Sequence, residues 1–383
     1  MDFELTPEQI AFRDSLARFA SEKLAPGALA RAHEAAYPWE EARQIAELGL
    51  LGITMPETDG GQGGTLMDAV IAIQTLAAYC PKSADVVQAG NFGPIRTFAE
   101  YASEDQKARF LPGLLRGETL IGLGMSEPEA GSAVTDLKTT AVIDGDVVTI
   151  NGSKVFSTHS GHATLFLIYV RFGPGVGGIG SVLVERGTPG LSFGRPSAFM
   201  SGEEWTQLYF EDCRIPVSNI LLGPGGFKRQ IAGFNVERIG NASRALAVGR
   251  HAFDLARDHV LERRQFGRPL AEFQGLQWRF AEVAVKLDAA QLLLYRAAAS
   301  AERGLPSAYD TSVAKFLCNQ AGFEAADLAV QAMGALGYSQ ESLVEYCFRR
   351  TRGWMIAGGS TEILKNKIAE EVFGRKFDQR GRA

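Results

Sequence analysis

Apolar residues recur at helical spacing near the start of the chain, where Ile10, Phe12, Leu16, Phe19 and Leu24 mark one stripe that Pro26 closes. The preceding Thr6-Pro7-Glu8-Gln9 is a start signal. Thr6 is placed to cap, Pro7 suits the first helical position, and Gln9 reaches back to the cap amide. Similar patterns predict helices over Pro38 to Leu50, Thr65 to Tyr79 and Glu104 to Leu115, with the glycine-rich Pro56 to Gly64 as an irregular loop. After Leu120 the period changes to β-branched runs and turn signals. Thr139 to Ile150 predicts a hairpin turning at Asp144-Gly145, and Leu165 to Val170, Ser181 to Glu185 and Gln207 to Phe210 add strands. From Gln230 the pattern is helical again, with Ala242 to Arg264 and Leu276 to Arg303 long enough to pack in a bundle. The order is helices, strands, helices.

Length and composition narrow the class. A chain of 383 residues exceeds one comfortable core, and 46% hydrophobic with 22% charged residues is ordinary globular composition. A net charge of -5 supplies no basic field for nucleic acid. Cys80, Cys213, Cys318 and Cys347 show no metal-ligand spacing, so no metal is expected and each reads as a small buried hydrophobe. The N-terminus is acidic, and no apolar run approaches the roughly 20 residues that cross a bilayer. A cytoplasmic protein without a membrane partner is expected.

Neither G-x-G-x-x-G after a strand, a P-loop, H-E-x-x-H nor G-x-S-x-G occurs, so any cofactor needs another scheme. MSEPEAGS (Met125 to Ser132) gathers hydroxyls, two carboxylates and a flexible turn, and in isolation the plain reading as a domain-joining turn wins. In KVFSTHSG (Lys154 to Gly161), Phe156 and Thr158 would face the same way on a strand. That suits a ring packed on a flat cofactor beside a hydroxyl; a half-buried strand is the ordinary alternative. His159 and His162 read as loop or surface residues, and Trp354 and Met355 as pocket or core.

These segments occur in order with RRQFGRPLAEFQ (Arg263 to Gln274), QAMGALGY (Gln331 to Tyr338) and AGGSTEI (Ala357 to Ile363). Together they resemble the acyl-CoA dehydrogenase family over nearly the whole chain. The resemblance implies an α+β multidomain fold: an N-terminal all-α domain (1–120), a middle β-barrel (121–228) and a C-terminal four-helix bundle (229–383). It also implies FAD. Met125 and Ser126 would line the isoalloxazine, with Ser132 in the same loop; Phe156, Ser157 and Thr158 would stand beside it. Arg263, Gln265, Phe266, Gln274, Gln331 and Gly334 would hold the pyrophosphate and adenosine, partly across a subunit boundary, with Ser360 and Glu362 also on the cofactor side. Ser132, Phe234, Asn235, Arg238 and Gly359 would face the acyl-CoA. Electron-transfer flavoprotein as acceptor and a homotetramer, a dimer of dimers, follow from the same resemblance.

Many members carry a catalytic glutamate where this chain has Gly358. A subset resembling isovaleryl-CoA and long-chain acyl-CoA dehydrogenases places the base on an earlier helix, and FNVER puts Glu237 there. The expected chemistry is α,β-dehydrogenation with Glu237 removing the α proton. The Gly358 N–H and a ribityl hydroxyl of FAD would stabilise the charge on the thioester oxygen. The plainer alternative pairs Glu237 with Arg238 or Arg244 on a solvated helix. Ala133, Phe156, His159 and Asn235 depart from the family's residues and point to a branched, cyclic or otherwise unusual acyl group. Other readings are an enoyl-CoA reductase, an oxidase, or a non-catalytic flavin- or acyl-CoA-binding subunit.

Overall fold

The structure is a computed structural model that describes residues 4–300 and 305–378. The chain opens with α1 (Pro7–Phe19), α2 (Ala28–His33), α3 (Trp39–Glu47), α4 (Leu66–Ala77), α5 (Pro81–Asn91), α6 (Pro94–Tyr101) and α7 (Glu104–Leu115). Strands follow: β1 (Ile121–Gly124), β2 (Thr140–Asp144), β3 (Val147–Thr158), β4 (Leu165–Arg171), β5 (Ile179–Glu185), β6 (Leu191–Phe193), β7 (Ser197–Ala198), β8 (Glu204–Pro216) and β9 (Ile220–Leu222). Then come α8 (Phe227–Glu262), the short pair β10 (Arg264–Gln265) and β11 (Arg268–Pro269), α9 (Gln274–Ser300), α10 (Ala308–Met333), α11 (Ala335–Tyr338), α12 (Leu343–Trp354) and α13 (Thr361–Val372).

Local signals account for most of these ends. The Thr6 hydroxyl accepts from the Gln9 amide at 3.2 Å while Gln9 Oε1 accepts from the Thr6 amide at 3.1 Å, closing the box expected for α1. Ser103 and Gln106 repeat the device on α7. The hairpin turns at Gly145, whose φ of 58° suits the tight turn. Helices α5 and α6 lie where the apolar periodicity predicts nothing, and both open on a proline.

Contacts group the chain into two compact units: Glu34–Thr65 with Val86–Phe234, and the remainder, which comprises residues up to His33, Leu66–Asp85 and those from Asn235 on. In the first, a nine-stranded sheet runs β6-β8-β3-β2-β4-β5-β9, with β1 parallel to β4 and β7 paired to β8. The expected β-rich middle is present; no pairing among the described residues closes it into a barrel. Phe166 and Ile168 of β4 join Val148, Ile150, Val182, Leu208 and Phe210 on one face. Leu165 and Leu167 join Phe98, Leu111 and Leu114 on the other. Both faces are covered, so β4 is a continuous apolar run instead of an alternating one.

In the second unit α10 packs against α9, α12 and α13, burying a row of small residues that includes Ala314, Cys318, Ala321, Gly322 and Ala325. A β-carbon on Gly249 of α8 would collide with the Gly322 backbone, and one on Gly322 with the Ala245 carbonyl, so the two helices cross backbone to backbone. All four cysteines are buried and free. No described helix is long and apolar enough to cross a membrane.

Candidate active site

In the sheet unit the candidate residues flank a buried ion pair. The Lys154 ammonium, fully buried on β3, donates to Glu127 Oε1 at 2.7 Å and to the Met125 carbonyl at 3.4 Å. Glu127 also accepts from the Lys138 and Thr139 amides, at 2.6 and 3.0 Å. Burial pushes the Glu127 carboxyl up, but the Lys154 charge and these donors more than offset it and hold it below the usual carboxylate range. Burial pulls the Lys154 ammonium down to about 8 against the pull of Glu127. The clasp fixes the Met125–Ser126 loop against β3, where the Val155 amide donates to the Ser126 carbonyl at 2.9 Å.

Immediately beyond, β3 loses register against β8 between Lys154 and Ser157, and Phe156 adopts φ 59°. The bulge breaks the strand alternation on which the common facing of Phe156 and Thr158 rested. Phe156 is turned out, 57% exposed, 4.7 Å from the Trp205 ring. The Ser157 hydroxyl points in and donates to the Leu123 carbonyl at 2.8 Å. The Thr158 side chain lies outside the described residues. Ser132 is exposed in its loop, and Phe234 packs beside Met125 against the Tyr169 cluster. His159 meets the Tyr37 ring edge-on and lies 4.0 Å from Glu203.

In the bundle unit, Glu237 projects from α8, where its Oε1 accepts from Asn241 Nδ2 at 2.8 Å. Of the neighbouring arginines, Arg238 donates to Asn235 at 3.1 Å and Ser312 at 3.2 Å, and Arg244 to Asn241 at 2.6 Å and Asp85 at 3.1 Å. Trp354, 2% exposed, is core, with the Arg244 and Arg350 guanidinium groups each 4.9 Å from its ring centroid.

The segment after α12 is shaped by Lys315, a fully buried residue of α10. Its ammonium donates to the carbonyls of Ala357, Gly358 and Gly359 at 2.6, 3.1 and 2.7 Å. Because a trans peptide points its N–H opposite its C=O, the Gly358 N–H is aimed away from Lys315. No described residue accepts it. Gly358 and Gly359 have φ of 66° and 95°, a region other residues rarely adopt. Burial, reinforced by Arg238 and Arg244 and opposed by Glu237, pulls the Lys315 ammonium down to about 7. Ser360 then caps α13, accepting from the Ile363 amide, and Glu362 in the first turn is held below the usual carboxylate range by its backbone hydrogen bond and by Ser360.

Arg263, Gln265, Phe266 and Gln274 cluster at the end of α8, the β10–β11 turn and the start of α9. All are exposed, Phe266 at 94%. Gln331 and Gly334 lie exposed at the end of α10.

Sequence models described as the acyl-CoA dehydrogenase N-terminal, middle and C-terminal domains match residues 6–118, 122–213 and 224–373. The chain belongs to the acyl-CoA dehydrogenase family. It is 34% identical to the 3-sulfinopropanoyl-CoA desulfinase of Paraburkholderia xenovorans (strain LB400), over 99% of each chain. It is 35% identical to the acryloyl-CoA reductase (NADH) of Anaerotignum propionicum, over 98% of this chain and 97% of that one. The solved glutaryl-coenzyme A dehydrogenase glutaryl-CoA complex superposes with a TM-score of 0.93 at 31% identity, covering 100% of this chain and 99% of that one. As a member of the acyl-CoA dehydrogenase family the chain is an enzyme, an oxidoreductase.

Asn241, Asp85, Lys315 and the Lys154 partner of Glu127 carry no motif that marks them in the sequence. Their one signal was placement: Lys315 interrupts an otherwise apolar Val-Ala-Lys-Phe-Leu run.

Proposed function

We propose that the chain is an FAD-dependent dehydrogenase that converts an acyl-CoA thioester to its trans-2-enoyl-CoA, with Glu237 as the base. The observation that carries this reading is a single cluster in which Asn241 holds the Glu237 carboxylate and also abuts Gly358, whose N–H has no acceptor among the described residues. A proton acceptor and an unclaimed hydrogen-bond donor therefore share one neighbourhood.

The residues present fit a flavin dinucleotide. Arg263 is exposed with no ion-pair partner among the described residues, which suits a pyrophosphate. Phe266 and Phe156 offer exposed rings, that of Phe156 backed by Trp205. Gln265, Gln274, Gln331 and Gly334 would complete the adenosine side, and Met125, Ser126, Ser132, Ser157, Thr158, Ser360 and Glu362 the ring and ribityl side. When bound, FAD supplies the oxidant that takes the β hydrogen with its bonding electron pair. Glu237 accepts the α proton at its carboxylate. The Gly358 N–H donates to the thioester oxygen as enolate charge develops there; losing such a donor costs about 3 kcal/mol of barrier. Ser132, Phe234, Asn235, Arg238 and Gly359 would face the thioester and its CoA.

Anaerobic mixing with a panel of acyl-CoAs, following flavin absorbance, tests the assignment. Glu237→Gln should bleach about 10²–10⁴-fold more slowly than wild type; an equal rate rejects it. The reductase relative supports a second reading, the same step reversed on an enoyl-CoA. Reduced enzyme that reoxidises with enoyl-CoA faster than oxidised enzyme bleaches with acyl-CoA would favour it. Electron-transfer flavoprotein as acceptor, a homotetramer and a cytoplasmic location complete the proposal.

A further inference from the structure

Glu237, Asn241 and Arg244 stand at i, i+4 and i+7 on α8, one stripe of the helix, and Gly358 lies against the middle residue. Asn241 is 1% exposed. Its Nδ2 donates to Glu237 Oε1 at 2.8 Å, and its Oδ1 accepts from an Arg244 Nη at 2.6 Å. A guanidinium only donates, so the amide has one workable orientation, with its NH₂ end committed to the carboxylate. Arg244 is itself anchored by Asp85 at 3.1 Å and by the Trp354 ring, and Arg350 Nε holds the other Asp85 oxygen at 3.0 Å. The amide cannot swing aside without breaking two charge-assisted hydrogen bonds. A β-carbon on residue 358 would stand 2.6 Å from Asn241 Nδ2, far inside van der Waals contact.

We propose that Asn241 is a positioning residue that commits the enzyme to a base on α8: its amide fills the space a side chain at 358 would need, and the same amide holds the Glu237 carboxylate. The inference rests on Glu237 being the base and adds two separable jobs, exclusion and holding. Exclusion explains why a glycine suits position 358 beyond its φ, and holding explains how a carboxylate one helix away keeps a fixed position.

The experiment uses the holoenzyme and follows loss of α-deuterium from a labelled acyl-CoA to water, alongside kcat, KM and thermal unfolding. Asn241→Leu keeps the volume and removes the donated bond; exchange and kcat should fall at least about tenfold with KM little changed, the effect of one lost hydrogen bond to a charge. Gly358→Ala should cost at least about tenfold in the wild-type and Asn241→Leu backgrounds, but much less with Asn241→Ala, where the space is open; the φ cost is common to all three and cancels in the cycle. If Asn241→Ala does not fold, Asn241→Ser, which vacates volume yet leaves Arg244 an acceptor, carries that arm. Wild-type exchange in Asn241→Leu, or an undiminished Gly358→Ala cost when residue 241 is small, overturns the proposal. Wild-type exchange in Glu237→Gln would instead remove the base assignment beneath it.

Discussion

At the residue scale, buried charges organise the candidate residues within each unit. Lys315 presents three donors to three successive carbonyls, the arrangement that aims the Gly358 N–H. Lys315→Met should loosen that segment and lower kcat more than it raises KM, measured by steady-state kinetics. Its stability effect has a defined sign. Burial pulls the folded lysine down to about 7 from the 10.5 of an exposed one, so between these the unfolded chain binds more protons and stability rises with pH. The advantage of wild type over Lys315→Met in urea unfolding should therefore grow from pH 7 to pH 10; a pH-independent difference would contradict this. Lys154→Met should cost about 3–5 kcal/mol, because it leaves Glu127 buried without its cation, whereas the paired replacement Glu127→Gln with Lys154→Met should recover part of that loss. Glu237 stands out in the sequence as a candidate through its FNVER setting and the glycine at 358. Lys315 and Asn241 do not, since nothing in a helical pattern tells which polar residue faces a neighbouring backbone.

At the element scale, the close crossing of α8 and α10 positions both Glu237 and Lys315. Gly322→Ala should drive these helices apart, costing about 1–3 kcal/mol by overpacking and lowering activity even though residue 322 touches none of the reacting groups. Chemical denaturation with parallel kinetics checks both effects; an unaltered midpoint would refute the crossing. Periodicity and capping made α1, α4, α7 and the β2–β3 hairpin readable, because their signals are local. Helix α5 was hidden by burial on nearly every side and α6 by its length of 8 residues, and the Phe156 bulge by its dependence on register with β8.

At the scale of the whole molecule, five motifs in order placed the chain in its family, while none of them singly would have done so. The order of helices and strands was likewise readable. The grouping of α1, α2 and α4 with the C-terminal helices was not, since it depends on contacts between residues more than a hundred positions apart, such as Gln74 with Gln291 at 2.9 Å. The proposed tetramer predicts a mass of four chains by light scattering. The most direct measurement of the central claim is a crystal structure of the holoenzyme with a CoA thioester bound. A Glu237 carboxylate oxygen is expected about 3–3.5 Å from the thioester's α carbon; a Glu237 side chain turned to bulk water, with another group against that carbon, would contradict its role as the base.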